Sequence, residues 1–346
     1  MRTKSILAMV LAGGQGSRLR PLTDNHAKPA ISFGGSYRLV DFVLSNLVNS
    51  GIDSIYLLAQ HKPESLIWHI QDNWDFASAG RDGFVSVVQP RHEQGECYRG
   101  TADAVHKNLV LIERHAPSMV AVFAADHVYR MDVRQMVEFH HACNADVTVA
   151  ATRVPLGAAS SFGVISTGDK GEILDFQEKP DYPHAIPSQP ECAYASMGNY
   201  LFDTDVLVAS LEQALRDGET DFGGHILPRL IRSHHVYAYD FAENTVPGIL
   251  PHEEQAYWRD VGTLDAYAAA HQDIAGHAPR FNLHNLHWPT LPVRFSPPPA
   301  FTANHSNAAT EQHGRKHRLR PFEIGTVFSP ERAVHPAWNF LPTGTA

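Results

Sequence analysis

Short apolar runs rich in β-branched residues alternate with stretches of helical period along roughly the first 240 residues, the pattern of successive βαβ units. The runs at 6–11, 54–58, 84–88, 119–124 and 147–153 predict buried strands. Between them, 39–48 reads as an amphipathic helix stopped by Gly51, and 64–70, 101–114 and 133–142 read as further helices. Right-handed crossovers between parallel strands put such helices on both faces of a sheet. Beyond 153 the pattern is more mixed. Residues 163–166 and 173–176 predict a hairpin through Gly168-Asp169-Lys170-Gly171, 197–202 and 236–241 predict strands, and 205–215, 226–232 and 263–273 predict helices. The expected fold class is α/β with a mainly parallel sheet. Ligands then belong at the carboxyl ends of the strands, where the glycines after the first strand, Gln60 and Asp126 fall.

The two ends need separate treatment. Arg2 and Lys4 followed by apolar 6–12 imitate a signal peptide, but the stretch is short and runs into Gly13-Gly14-Gln15-Gly16. A first strand feeding a phosphate loop explains the same letters better than a small-residue cleavage site. At the other end the periodicity stops. Nine of the 23 prolines fall in 289–346, with six basic residues against three acidic ones. The expected division is therefore a folded domain over 1–287 and an irregular Pro/His-rich tail over 288–346. The basic run at 315–320 could meet a polyanion; a solvated charged segment is the plainer reading.

Composition narrows the function classes. At 43% hydrophobic and 19% charged, the 346 residues can build a sizeable core, which excludes global disorder. Lys and Arg number 28 against 37 Asp and Glu, so the chain repels polyanions in general while leaving room for one local phosphate pocket. No nucleic-acid partner is expected. Cys97, Cys143 and Cys192 lack CxxC spacing, which suits reduced thiols in a cytosol rather than a disulfide frame or zinc site. No apolar run approaches the ~18 residues of a membrane span.

Five segments carry candidate chemistry. Leu11-Ala12-Gly13-Gly14-Gln15-Gly16-Ser17-Arg18-Leu19 follows the first strand; its glycines let backbone N–H groups approach a phosphate, and Arg18 offers a bidentate partner. It matches neither GxGxxG nor the P-loop. Lys28, ahead of Pro29, can close over a triphosphate or simply be a surface lysine. Asp126 ends an uncharged strand and is a helix cap or a metal ligand, and Asp260 stands just before the helix whose expected N-cap is Thr263. Two aspartates from distant segments suit a Mg²⁺ that bridges phosphate oxygens. Glu178 can accept sugar hydroxyls while Lys179 holds a phosphate, or the two form a surface ion pair. Gly100-Thr101 opens a helix whose amides face an anion or merely cap it. The 22 histidines, among them His140-His141, His234-His235 and His284-x-x-His287, have no carboxylate at ligand spacing and read as compositional bias. Ser17, Ser45 and Ser196 lack a GxSxG context, so a serine hydrolase has little support.

In their order along the chain, LAGGQGSRL, KPAISFGGSYRLVDFVLSN, YRGTADAV, AADHVY, SFGV, EKP, ASMGNYLF, DFGGHILP and YWRDVGTLDAY closely resemble the glucose-1-phosphate adenylyltransferase family, over roughly residues 5–290. The opening and EKP motifs are shared by sugar nucleotidyltransferases generally, while FGGSYRLVDF, YRGTADA and YWRDVGT are much more specific to the ADP-glucose branch. The resemblance implies a Rossmann-like, three-layer nucleotidyltransferase fold and transfer of an adenylyl group from ATP to glucose 1-phosphate, giving ADP-glucose and pyrophosphate for glycogen synthesis. Mapped motif by motif, it implies Arg18, Lys28, Asp126 and Asp260 as catalytic, with Mg²⁺ on Asp126 and Asp260. It implies Leu11, Ala12, Gly13, Gly14, Gln60, Tyr98, Gly100 and Thr101 around the nucleotide. Tyr98, Gly163, Glu178, Lys179, Ser196, Tyr200, Asp221 and Trp258 would surround glucose 1-phosphate.

The resemblance also has gaps. Asp24-Asn25-His26 stands where some relatives carry a basic cluster, and Cys97 where tryptophan is common, so effector response is not carried over. Family members continue into a left-handed β-helix that helps assemble tetramers; after Trp288-Pro289 the likeness stops, and the expectation is a frameshifted or truncated reading frame. The competing functional readings are a UTP- or dTTP-dependent transferase and a catalytically weak regulatory or binding subunit.

Overall fold

The computed structural model describes residues 5–76, 82–90 and 97–291. In chain order, β1 (Ile6–Ala12) leads through a short ribbon, β2 (Ser32–Phe33) and β3 (Tyr37–Arg38), to α1 (Leu39–Asn49), then β4 (Ser54–Ala59), α2 (Glu64–Asn73) and β5 (Phe84–Val88). Next come α3 (Thr101–His106), α4 (Leu109–His115), β6 (Met119–Ala124), β7 (His127–Tyr129), α5 (Val133–Ala142) and β8 (Val147–Pro155). The remainder comprises β9 (Gly163–Thr167), β10 (Ile173–Glu178), β11 (Cys192–Asp203), α6 (Thr204–Asp217), α7 (Leu227–Leu230), β12 (Val236–Asp240), β13 (Trp258–Asp260) and α8 (Leu264–Asp273).

The main sheet runs β10-β9-β11-β6-β1-β4-β5, with β8 joining β11 to β12. Its centre, β6-β1-β4-β5, is parallel, and β12 is parallel to β8; β11 enters antiparallel to both β6 and β8. The near-unbroken apolar letters of β1 follow from burial on both faces. Ala8, Val10 and Ala12 point to one side, onto Val40, Val43, Leu44 and Leu47 of α1. Leu7 and Met9 point to the other, into the core shared with Val105, Leu207 and Leu211. A third core gathers Leu19, Phe33, Phe42, Val128, Tyr257, Val261 and Phe281, and so binds the segment after the glycine loop to β7 and β13.

The strands at 84–88 and 119–124 and the helix at 133–142 fall as the periodicity predicts. The single helix expected over 101–114 is instead two. Asn108 donates its amide to the Ala104 carbonyl (2.8 Å) and to the Tyr98 hydroxyl (3.1 Å), and such a side chain competes with backbone bonding and breaks the run. The helix expected at 226–232 is present but shorter, α7 at Leu227–Leu230, and is entered through a wide turn, Phe222–Ile226. β11 begins five residues before the predicted 197, because a register shift between Ser196 and Tyr200 hides the alternation of one long strand. β7 and β13, three residues each, carry too few positions for a period to register. Thr263 caps α8 as expected, accepting from the Ala266 N–H at 3.2 Å.

The packed body extends past the expected boundary at 287/288. Trp288 and Thr290 are buried, and Asn49 and Ser45 of α1 bond the Pro289 carbonyl and the Leu291 N–H at 2.9 and 2.7 Å. The irregular tail and the basic run expected beyond lie outside the described residues. Cys97, Cys143 and Cys192 are free thiols, and among the described residues no helix is long and apolar enough to cross a membrane.

Candidate active site

The glycine loop leaves β1 at the carboxyl edge of the parallel core. Gly16 sits in the left-handed region (φ 61°), and a Cβ there would lie 2.8 Å from Thr23 Cγ2, so glycine is required by both backbone and space. Thr23 closes the loop by donating to the Gly16 carbonyl at 2.8 Å. The helical turn Ser17–Leu19 then buries Leu19 and leaves Arg18 exposed. A Cβ on Gly262 would stand 3.3 Å from Arg18 Nη2 and 3.1 Å from Asp260 Oδ2, so the guanidinium and that carboxylate flank one bare glycine. Gly13 and Gly14 form the open lip of the loop, while Leu11 and Ala12 are strand residues paired with Ala124 and Ala59. Gln60 accepts from the Tyr98 N–H at 2.7 Å and donates to the Tyr98 carbonyl at 3.1 Å, holding that backbone beside Gly13.

At the floor stands a three-charge cluster. Lys28, in the turn Lys28–Ala30, is 7% exposed, which removes the surface-lysine reading. Its Nζ lies 2.8 Å from Asp126 Oδ2 and 3.2 Å from Asp260 Oδ1. The antiparallel ribbon β7–β13 explains why residues so distant in sequence meet: its register sets Asp260 opposite His127, next to Asp126. Burial alone would push the Asp126 carboxyl upward, but the Lys28 ammonium, aided by His127, outweighs it and holds the group down to about 2. Burial likewise opposes the Lys28 charge, and the two carboxylates together raise its pKa above the ordinary lysine value. The Asp126 and Asp260 side chains keep 30% and 24% of their surface, so both remain open to a ligand.

Mg²⁺ takes one or two carboxylates, waters and phosphate oxygens rather than an all-protein cage. Asp126 and Asp260 fit that donor set. Among the described residues no group of three or more His, Cys, Asp or Glu is disposed to hold a metal, so a cation here would rest on these two and on ligand oxygens.

A second cluster lies across a short aromatic bridge. The rings of His127 and Trp258 are 4.9 Å apart and those of Trp258 and Phe162 5.5 Å, leading from Asp126 to Gly163. Glu178 Oε2 occupies space that a Cβ on Gly163 or Gly223 would contest, at 3.2 and 2.5 Å. Lys179, itself left-handed, reaches Glu178 Oε1 at 2.8 Å and is largely exposed. Asp221 accepts from the Thr101 hydroxyl (2.8 Å) and from the Gly224 N–H (3.0 Å). Ser196 accepts from the Gly198 N–H at 3.2 Å.

Four expected residues are placed differently from the rest. The amides at the start of α3 are taken by the Thr220 carbonyl, which lies 2.3 Å from where a Gly100 Cβ would stand; at Gly100-Thr101 the capping alternative is the one realised. Tyr98 is buried with its hydroxyl on Asn108, and Tyr200 is buried among Phe202 and Phe222. Burial raises both phenols above their ordinary pKa. His127 and Gly262 were not foreseen as site residues. Their signal was adjacency: each is one or two positions from an aspartate already singled out.

A sequence model of the nucleotidyl transferase family matches residues 7–277. The glucose-1-phosphate adenylyltransferase of Thermodesulfovibrio yellowstonii is 54% identical over 296 residues, 85% of this chain and 72% of that protein. Those of Thermus thermophilus and Vibrio cholerae are 48% and 44% identical, each over 73% of its own length and over 86% and 85% of this chain. With matches of this extent converging on one group, and with its glycine loop, Lys28 and paired aspartates assembled at one sheet edge, the chain belongs to the nucleotidyl transferases and, within them, to the glucose-1-phosphate adenylyltransferase family.

Proposed function

We propose that the chain transfers the adenylyl group of ATP to glucose 1-phosphate, releasing pyrophosphate and forming ADP-glucose for α-glucan synthesis. The observation that carries this reading is the cluster of Lys28 between Asp126 and Asp260, with Arg18 beside it at the end of a glycine loop. An oxygen of glucose 1-phosphate is already an anionic nucleophile. It forms a bond to the α-phosphorus of ATP as the bond to pyrophosphate breaks, so no protein nucleophile or strong base is needed. The protein aligns the two phosphates and offsets their charge. Gly13 and Gly14 receive the triphosphate, and Arg18 and Lys28 neutralise it. Glu178, Lys179, Asp221 and Trp258 border the sugar phosphate. Mg²⁺, held by Asp126 and Asp260, supplies further neutralisation of the triphosphate oxygens when bound.

Relatives named for this same transfer support ATP as the donor over UTP or dTTP. The test is pyrophosphate release from the purified chain given Mg²⁺ and glucose 1-phosphate, with ATP, UTP, dTTP and GTP in parallel. Turnover with ATP alone is expected; turnover with UTP or dTTP instead, or silence with all four from folded protein, overturns the reading. A cytoplasmic location agrees with three free thiols, and homo-tetramer assembly is read by light scattering of the same sample.

A further inference from the structure

We infer that two buried amides outside the residues named above, Asn199 and Asn46, are positioning residues that clamp the loop bearing Asp126. The inference rests on the proposed role of Asp126. That loop, 124–131, leaves β6, turns at Asp126 and runs through β7. On its inner side Asn199, fully buried in β11, accepts from the Ala124 N–H at 3.2 Å and donates to the Tyr129 hydroxyl at 3.0 Å. One side chain thus ties the limb two residues before Asp126 to the limb three residues after it. On the outer side Asn46 of α1, also buried, donates to the Tyr129 carbonyl at 3.2 Å and accepts from the Met131 N–H at 3.0 Å, pairing with the backbone as a neighbouring strand would. The Trp288 indole donates to the same Asn46 oxygen at 3.3 Å and fixes how the amide is turned.

The irregularity in β11 serves this contact. β11 pairs with β8 up to Ser196 and again from Tyr200, and in the gap Gly198 is left-handed (φ 68°) and packs so that a Cβ would lie 3.3 Å from Ala124 Cβ. The bulge leaves Asn199 in register with Phe123 of β6, beside the residue whose N–H it accepts. The Asn199 amide offers a donor and an acceptor on one carbon; an apolar side chain of similar volume would fill the space and leave the Ala124 N–H without this partner. Groups that support a ligating carboxylate from behind typically change metal affinity or activity by about 10–100-fold when removed.

The test uses the full chain and three variants. Asn199→Ala is expected to lower kcat in pyrophosphate release by about 10–100-fold with little change in KM for ATP, and to weaken Mn²⁺ binding read by electron paramagnetic resonance with ATP present and glucose 1-phosphate absent. Tyr129→Phe keeps the ring and removes only the hydroxyl, so it shifts kcat and Mn²⁺ affinity in the same direction by less, and carries the test if Asn199→Ala does not fold. Leu211→Ala, a cavity in α6 remote from the loop, lowers the melting temperature and leaves kcat and Mn²⁺ binding at the wild-type level. The inference is overturned if Asn199→Ala and Tyr129→Phe turn over and bind Mn²⁺ like the wild type, or if Leu211→Ala depresses both as much. A wild-type chain silent with every nucleotide would sink the proposed function instead, and the Mn²⁺ measurement would still decide the clamp.

Discussion

Lys28 and Lys179 each meet a carboxylate at 2.8 Å, yet the two pairings are built on opposite terms. Lys28 is buried and joins three segments far apart in sequence; Lys179 pairs with the residue before it and keeps 64% of its side-chain surface. The first arrangement fixes charge before any ligand arrives. The second is a local pair that a ligand phosphate can open at small cost, since exposed pairs contribute only about 0–1 kcal/mol. One floor that does not move and one arm that can is what a two-substrate transfer demands: reacting groups aligned against fixed charge, with one partner admitted and released.

The comparison breaks most visibly at Lys28. Lys28→Ala leaves two carboxylates facing each other in a mostly buried site, and is expected to destabilise the fold by about 3–5 kcal/mol in urea titration as well as abolish turnover. Asp126→Asn removes charge but keeps shape; turnover should fall at least about 10²–10³-fold, while the chain still folds and loses less stability than Lys28→Ala because Lys28 keeps Asp260 as a partner. Near-normal activity in that variant would refute the role given to Asp126. Lys179→Ala should leave stability within about 0.5 kcal/mol and act mainly by raising KM for glucose 1-phosphate, seen in steady-state pyrophosphate release.

The smallest effect concerns the core that carries β13. His271 donates from Nδ1 to the Tyr267 carbonyl at 2.9 Å and accepts the Gly34 N–H at Nε2 at 3.3 Å, an arrangement only the neutral ring can make. Burial depresses its pKa below the ordinary histidine value. The unfolded chain then binds this proton more readily than the folded one. The associated stability is present above about pH 6.5 and is lost as pH falls from there through the lower folded pKa. Urea midpoints of the wild type and His271→Gln should therefore converge on acidification from pH 7.5 to 5.5.

Much of the scaffold was legible because β1, β4 and β6 are buried on both faces and carry no charged residue, so an unbroken apolar run marks each of them. The charge-bearing letters Arg18, Lys28, Asp126 and Asp260 were legible too, as residues out of place beside glycines or at the end of an uncharged strand. Their assembly was not. It depends on the pairing of two three-residue strands, β7 and β13, whose partner choice is written in the third core rather than in their own letters. Tyr98 and Tyr200 illustrate the opposite difficulty. A tyrosine inside a binding motif reads as a ligand from its letter, which says nothing of depth; here both side chains are buried.

The β7–β13 ribbon has a consequence for how this site can change over time. The interval between Asp126 and Asp260 is set by a backbone register, with Trp258 opposite Tyr129 and Asp260 opposite His127. A register admits whole steps only: inserting or deleting one residue between Tyr257 and Asp260 turns the aspartate to the other face rather than moving it slightly. The separation of the two acids is therefore a digital property of the chain. Substitution elsewhere can tune the charges around them by degrees, but the spacing itself is either kept whole or lost at a single stroke.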